Sequence, residues 1–197
     1  MGKKSKSNYR DGDSFSRRAK LEGYRSRSAL KLKELQKKDH LIKKGMSVLD
    51  LGSFPGGWSQ VSKEFVGKTG KVVGVDLQKM KAIEGTSFIH KSIIDLEIKD
   101  FEGNLPFDIV LSDMAPNISG IQDRDNAQMI NLLDKVEHSI ENFLKTGGST
   151  IIKVFQGDSL NHAKMFIEDH FLEAKIRKPN SSRPNSNETY ILGINLK

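Results

Sequence analysis

Cysteine is absent from the 197-residue chain. Disulfide bonds, thiolate zinc sites and a cysteine nucleophile are therefore excluded. No apolar run approaches the ~18–20 residues that span a bilayer. The opening segment, MGKKSKSNYRDGDSFSRR, lacks the apolar stretch of a secretory signal. Histidines 40, 90, 138, 162 and 170 are scattered, with no pair at a metal-ligand spacing. These absences point to a reducing, cytoplasmic setting with no membrane and no metal, an organelle matrix being the lesser alternative. Hydrophobic residues make up 36% and charged residues 29%, an ordinary balance for a globular protein. The length suits one α/β domain with its own core, and a monomer is the default expectation.

The charge is unevenly placed. Residues 1–44 carry 15 Lys/Arg against 5 Asp/Glu, whereas residues 45–197 carry 17 against 20. A smaller basic cluster comprises Lys175, Arg177, Lys178 and Arg183. Basic arms attract polyanions by Coulomb force and counterion release. The aromatics Tyr9, Phe15 and Tyr24 interleave with the cations, which favours a nucleic-acid partner over a solvated tail. Residues 1–20, polar and serine-rich, read as unstructured without a partner. The expected organisation is a flexible basic arm over 1–24 and a single domain over 25–197.

Beyond the arm, Ala29, Leu30, Leu32 and Leu35 fall on one helical face between Ser26 and Lys38, with Ser28 as N-cap. The pattern then changes. SVLDL (47–51), KVVGV (71–75), SFIH (87–90), FDIVL (107–111) and TIIKVF (150–155) read as strands. Helices are expected over 58–66, 125–144 and 159–170, the second of them stopped by Gly147–Gly148. Ala174–Arg177 and Thr189–Asn195 are two closing strands joined without a helix. Strand–helix alternation implies a mostly parallel sheet with helices on both faces, and the last two strands suggest an antiparallel edge hairpin.

The first strand runs into LDLGSFPGGW (49–58). A strand–glycine turn–helix unit brings bare backbone and a helix N-terminus close to a ligand. Two nucleotide motifs fail here. The spacing is not G-x-G-x-x-G, and Trp58 stands where a phosphate-binding loop needs lysine. The loop therefore suits a ligand that contacts backbone closely but carries no phosphate, such as S-adenosylmethionine. Asp76 ends the second strand 19 residues after Gly57. An acid at this place accepts hydrogen bonds from ribose hydroxyls. Together the two features predict an adenosine-type cofactor over the carboxyl ends of strands 1 and 2.

Asp113 follows the fourth strand. Lys153 interrupts the apolar run Ile151-Ile152-Lys153-Val154-Phe155. A lysine there either snorkels out of the strand end or serves as a general base. Methyl transfer to oxygen needs in-line placement and removal of a hydroxyl proton, which a neutral Lys153 could accept.

With these residues the chain resembles the FtsJ/RrmJ family of ribosomal RNA 2′-O-ribose methyltransferases, its bacterial-type members above all. The motifs are RSRSALKL (25–32), DLGSFPGGWSQ (50–60), SDMAPNISG (112–120), IKVFQG (152–157) and SRPNSNETY (182–190), and the resemblance runs from about Tyr24 to Gly193. It implies a Rossmann-like fold that uses S-adenosylmethionine as cofactor and methylates a ribose 2′-hydroxyl, an A-loop uridine of large-subunit ribosomal RNA. It implies a catalytic set of Lys31, Asp113, Lys153 and Glu188, with Lys153 as base and the others shaping its proton affinity and holding the ribose. The implied cofactor contacts are Gly56, Trp58, Asp76 and Asp113, beside the loop glycines Gly52 and Gly57. One departure stands out: where the family has an acid that touches adenine, this chain has Ser92, with Asp95 shifted along.

Three other readings compete with this one. A transfer RNA ribose methyltransferase keeps the chemistry and changes the substrate. A dehydrogenase is opposed by the missing dinucleotide fingerprint. A non-catalytic ribosome-assembly factor is opposed by the presence of all four catalytic-set residues.

Overall fold

The computed structural model describes residues 7–101, 103–182 and 186–197, with side chains from Ser14 onward. In chain order the elements are α1 (Ser7–Leu21), α2 (Ser28–Asp39), β1 (Ser47–Leu51), α3 (Gly57–Val66), β2 (Lys71–Asp76), β3 (Ser87–His90), β4 (Phe107–Ser112), α4 (Gln122–Phe143), β5 (Leu144–Phe155), α5 (Asp158–His170), β6 (Phe171–Arg177) and β7 (Glu188–Leu196). Two short 3-10 turns, Ile93–Asp95 and Ile98–Phe101, lie between β3 and β4.

The strands form one seven-stranded sheet in the order β3-β2-β1-β4-β5-β7-β6. Strands β1 to β5 pair in parallel. β7 is antiparallel to both of its neighbours and sits between β5 and β6. The closing pair is thus antiparallel, but its second strand is the inner one.

Side chains alternate across the sheet and divide the core in two. Leu49, Leu51, Val73, Val75, Ile152 and Val154 face α4 and α5. Val48, Val72, Ile109, Leu111, Ile151 and Tyr190 face α2 and α3. The helical stripes supply the matching surfaces: Met129, Leu133, Val136 and Ile140 of α4 on one side, Ala29, Leu32 and Leu35 of α2 on the other.

Three local expectations change. Helix α4 ends at Phe143, before Gly147–Gly148. The two glycines instead lie in an excursion early in β5, where the register slips between Phe107↔Leu144 and Ile109↔Ser149. Gly147 has φ +76° and a Cβ on Gly148 would press on Leu144, so this bend favours glycine. Ser28 opens α2 as its first residue; Arg27 is the cap and makes no side-chain capping bond. The expected unstructured stretch is helical from Ser7 to Leu21. The end of α1 is tied down: Ala19 is buried, Glu22 accepts from Arg18 (2.7 Å) and Lys33 (2.9 Å), and the Tyr24 hydroxyl donates to Glu64 (2.8 Å). Tyr24 therefore belongs to the fold, its ring lying 4.9 Å under the Lys33 ammonium. The first six residues, and Arg183 of the second basic cluster, lie outside the described residues.

Candidate active site

In an open α/β sheet, ligands sit beyond the carboxyl ends of the strands, where the strand order reverses. Here that place lies between β1 and β4, with β2 on one flank and β5 on the other. Two cavities open there. The larger, of about 940 Å³, is lined by Gly52, Phe54, Asp76, Leu77, Ser92, Asp113 and Met114, and by one side of α4. The smaller, of about 480 Å³, is lined by Lys153, Glu188, Phe155, Ile118 and several side-chain amides. Ala115 borders both.

The larger cavity is built by the turns that follow β1, β2 and β3. Gly52 has φ +72°, and a Cβ there would overlap the Met114 side chain. Only glycine admits that turn and leaves the backbone bare toward the cleft. Asp76 accepts the Phe54 amide on Oδ2 (2.9 Å) and the Gln78 amide on Oδ1 (2.7 Å). A carboxylate offers about four acceptor positions, so capacity for two hydroxyls remains. Phe54, Leu77, Ile93 and Ile94 supply apolar edges, and Leu77 and Ile94 are largely exposed. An apolar slot beside an acid with spare acceptors suits an adenosine moiety. Ser92 lines this slot and caps the turn Ile93–Asp95, whereas Asp95 is not among its lining residues.

Gly56, Gly57 and Trp58 stand behind the cleft rather than in its lining. A Cβ on Gly57 would overlap Ser26 Oγ, and one on Gly56 would lie 2.6 Å from Ile83 and 3.2 Å from Arg25. These glycines let the loop pack against the segment that leads into α2. Arg25 fastens this corner through the carbonyl oxygens of Lys81 and Ala82. Trp58 is buried; its Nε1 donates to the Ser28 carbonyl (2.9 Å) and its ring lies 5.8 Å from that of Tyr190. It joins α3 to α2 and β7.

The second cavity ends on a charge cluster gathered from four distant segments. Register explains the convergence. Lys153 pairs with Tyr190 and Phe155 with Glu188 across β5 and β7. Lys153, Glu188 and Tyr190 thus share the sheet face that carries Ile151, the face covered by α2. Lys31 points down from α2 at 6% exposure, and its ammonium bonds Glu188. Lys153, 9% exposed, bonds the Asp113 carbonyl and lies 3.3 Å from the Asp113 carboxylate. Each buried cation therefore has its own carboxylate, as burial demands. Burial raises the proton affinity of Glu188, but the Lys31 charge and hydrogen bond outweigh it and hold the carboxyl below its usual range. Ser182 donates a further bond to Glu188 (3.2 Å).

Sequence reasoning singled out Lys153 and Asp113, and the resemblance added Lys31 and Glu188; the structure brings all four together. It adds Tyr190, whose hydroxyl donates to Asp113 Oδ1 (2.7 Å) from a fully buried ring. Burial, reinforced by the Asp113 charge, pushes this phenol well above its ordinary range, so it stays a donor. The signal was the Glu188–Tyr190 spacing, which puts both on one strand face. Asp50 also went unassigned. It is fully buried beneath the glycine loop, accepts from Ser59 (2.6 Å) on one oxygen and has no hydrogen-bond partner for the other among the described residues. In the second basic cluster, Arg177 is committed to Asp39 and Lys175 to Glu173. Away from the site, the fold brings His162 to 2.9 Å from Asp134 and 3.5 Å from Glu137, which the scattered histidine positions did not suggest.

The chain is similar to several known proteins. A protein from Methylobacillus flagellatus named ribosomal RNA large subunit methyltransferase E is 42% identical, covering 92% of this chain and 90% of its own. A protein of the same name from Azoarcus is 38% identical over 94% of this chain and 92% of its own. A crystal structure of a Plasmodium falciparum protein described as a ribosomal RNA methyltransferase superposes with TM-score 0.78 at 30% identity, covering 88% of this chain and 98% of that one. Aeropyrum pernix fibrillarin, solved with natively bound S-adenosylmethionine, shares the fold alone: TM-score 0.56 and 14% identity over 78% of this chain and 68% of its own. The model of the FtsJ-like methyltransferases matches residues 24–196. From that match, and from the extent of its likeness to these relatives, the chain belongs to the FtsJ-like methyltransferase family.

Proposed function

We propose that the protein transfers the methyl group of S-adenosylmethionine to the 2′-hydroxyl of a ribose in large-subunit ribosomal RNA, a uridine of the A-loop, in the cytoplasm and as a monomer. One observation carries this reading. The Asp113–Lys153 contact stands at the boundary of the two cavities, with Asp113 lining the larger and Lys153 the smaller. A methyl donor in one and a hydroxyl in the other would meet at that pair. The substrate follows the names of the relatives, and the basic N-terminal segment supplies the polyanion affinity that RNA needs.

The cleft fits the cofactor on its own features: bare backbone at Gly52, spare acceptors on Asp76, and the Asp113 carboxylate on the side where a cation would sit. When bound, S-adenosylmethionine would supply an activated methyl group carried on a sulfonium. The remaining work belongs to the chain. Asp76 and Gly52 hold the adenosine end. Tyr190 fixes the Asp113 carboxylate, and Asp113 in turn orients the Lys153 amine through its carbonyl and carboxylate. Glu188, kept ionised by Lys31, accepts a ribose hydroxyl hydrogen bond at the floor of the smaller cavity. Lys153 is the group placed to take the 2′-hydroxyl proton, which leaves the oxygen free to accept the methyl group. Orientation contributes most, up to roughly 7–11 kcal/mol. The base adds about 10²–10⁴-fold.

The test is transfer of labelled methyl to large subunits that lack ribose methylation, to the naked ribosomal RNA and to bulk transfer RNA, with the products digested and mapped by mass spectrometry. A 2′-O-methyl nucleoside in large-subunit RNA is the expected product. Label confined to transfer RNA would keep the chemistry and overturn the substrate. Label on a base nitrogen or carbon would overturn the chemistry.

A further inference from the structure

The smaller cavity extends beyond its charged floor. Resting on the reading above, we infer that the side-chain amides of Asn126 and Gln156 hold the nucleobase of the acceptor nucleotide by its hydrogen-bonding edge.

Three observations support this. First, Lys153 is the only cation that lines this cavity among the described residues, and it belongs to the charged floor. The rest of the cavity is thus not built for a phosphate, which would call for Arg, Lys or a row of backbone amides. Second, its walls are of mixed character. Ile118, 59% exposed, and Phe155 supply apolar surface, while Asn126 and Gln156 supply neutral polar groups. A flat heterocycle with an apolar face and a polar edge matches that mixture. Third, neither amide makes a side-chain hydrogen bond with any of the described residues. Asn126 is half-buried near the start of α4, and its Nδ2 lies 3.9 Å from where a Gly157 Cβ would be. Its amide therefore abuts the turn that carries Gln156. The turn is itself held from the other side, where the Gln156 amide N–H donates to the Asn187 carbonyl (2.9 Å).

An amide offers a donor and an acceptor side by side. The pairing edge of a base offers the complementary two, so one residue can make a paired contact and the other a single bond to the remaining acceptor. About 480 Å³ accommodates one nucleoside with its ribose at the Lys153–Glu188 end. The base would then fix the rotation of the ribose and aim the 2′-hydroxyl at Lys153. These two are positioning residues, acting on the reaction through the base.

The test is a cycle between protein and substrate. Wild type, Asn126→Ala and Gln156→Ala would be assayed on ribosomal RNA whose mapped acceptor nucleotide is intact or abasic, the ribose being retained in both. Each variant should lose several-fold to about ten-fold in kcat/KM on the intact acceptor, the scale of one neutral hydrogen bond. On the abasic acceptor the wild type should fall to or below the level of the single variants on the intact one, and the substitutions should cost nothing more. S-adenosylmethionine affinity should be unchanged in both variants. Equal fractional losses on the two substrates would mark a general structural effect and overturn the inference, as would no loss on the intact acceptor. A wild type that makes no 2′-O-methyl nucleoside in any RNA would overturn the inference together with the reading on which it rests.

Discussion

The cofactor cleft and the charge cluster beside it are built by opposite means. The cleft comes from turns directly following parallel strands, each a short contiguous segment whose glycine or acid acts where it stands. Its key groups are backbone, apolar edges and the carboxylate of Asp76, which is satisfied by two neighbouring amides. The cluster takes Lys31 from α2, Asp113 from the end of β4, Lys153 from β5, and Glu188 and Tyr190 from β7. No two of these segments adjoin in sequence, and the buried charges persist because each cation meets an anion. On the proposed reading, cofactor binding is thus a property of local loops and proton removal a property of the assembled sheet.

This division makes the two regions separable by mutation. The largest effect is expected for Lys153→Ala. Turnover at saturating cofactor and RNA should fall by about 10²–10⁴-fold, the usual worth of a general base, while calorimetric affinity for S-adenosylmethionine stays within a few-fold. Near-normal turnover would remove the base assignment, and a large loss of affinity would merge the two regions into one. The converse substitution, Asp76→Ala, should weaken cofactor binding by about ten-fold or more, as charge-assisted hydrogen bonds are lost. Turnover at saturating cofactor should change far less. An unaltered dissociation constant would show that Asp76 merely fastens its own loop.

The smallest effect concerns Asp50, which lies under the glycine loop and faces the Asp76 and Asp113 charges. Burial, helped by those two carboxylates and opposed by the Ser59 hydrogen bond, raises this carboxyl from its unfolded value of 3.8 to about 7. The folded protein then retains a proton that the unfolded chain has released. The stability contribution of Asp50 therefore declines as pH rises from about 4 to about 7 and is level above that. Asn in its place keeps the acceptor for Ser59 and cannot ionise. Thermal melts of Asp50→Asn without cofactor should show a gain of a few degrees above pH 7 relative to wild type, vanishing toward pH 4. Parallel melting curves across this range would show that Asp50 carries no such penalty.

Much of this was legible in the sequence because the informative patterns are local. All seven strands followed from short apolar runs, and the glycine loop and Asp76 from their position at strand ends. The slip at Gly147–Gly148 was not legible. A glycine pair ends a helix and bends a strand equally well, and only pairing with β4 distinguishes the two uses. Helix α1 was hidden for a similar reason: the segment is polar and weak in helix formers, and its end is secured by Glu22, Lys33 and Glu64, contacts made after folding. Glu188 and Lys31 carried no signal of their own and were found only through motif resemblance, since neither breaks a local rule.

By itself, then, the sequence determined the alternation of strands and helices, the phosphate-free glycine loop and the anomalous lysine in β5, because periodicity and turn chemistry are set by neighbours a few residues apart. Only the tertiary structure decided that β7 enters between β5 and β6, that Tyr190 reaches Asp113, and that Lys31 meets Glu188 across 157 positions. Such pairings depend on sheet register and on which face α2 covers, and those are settled by burying the whole core at once.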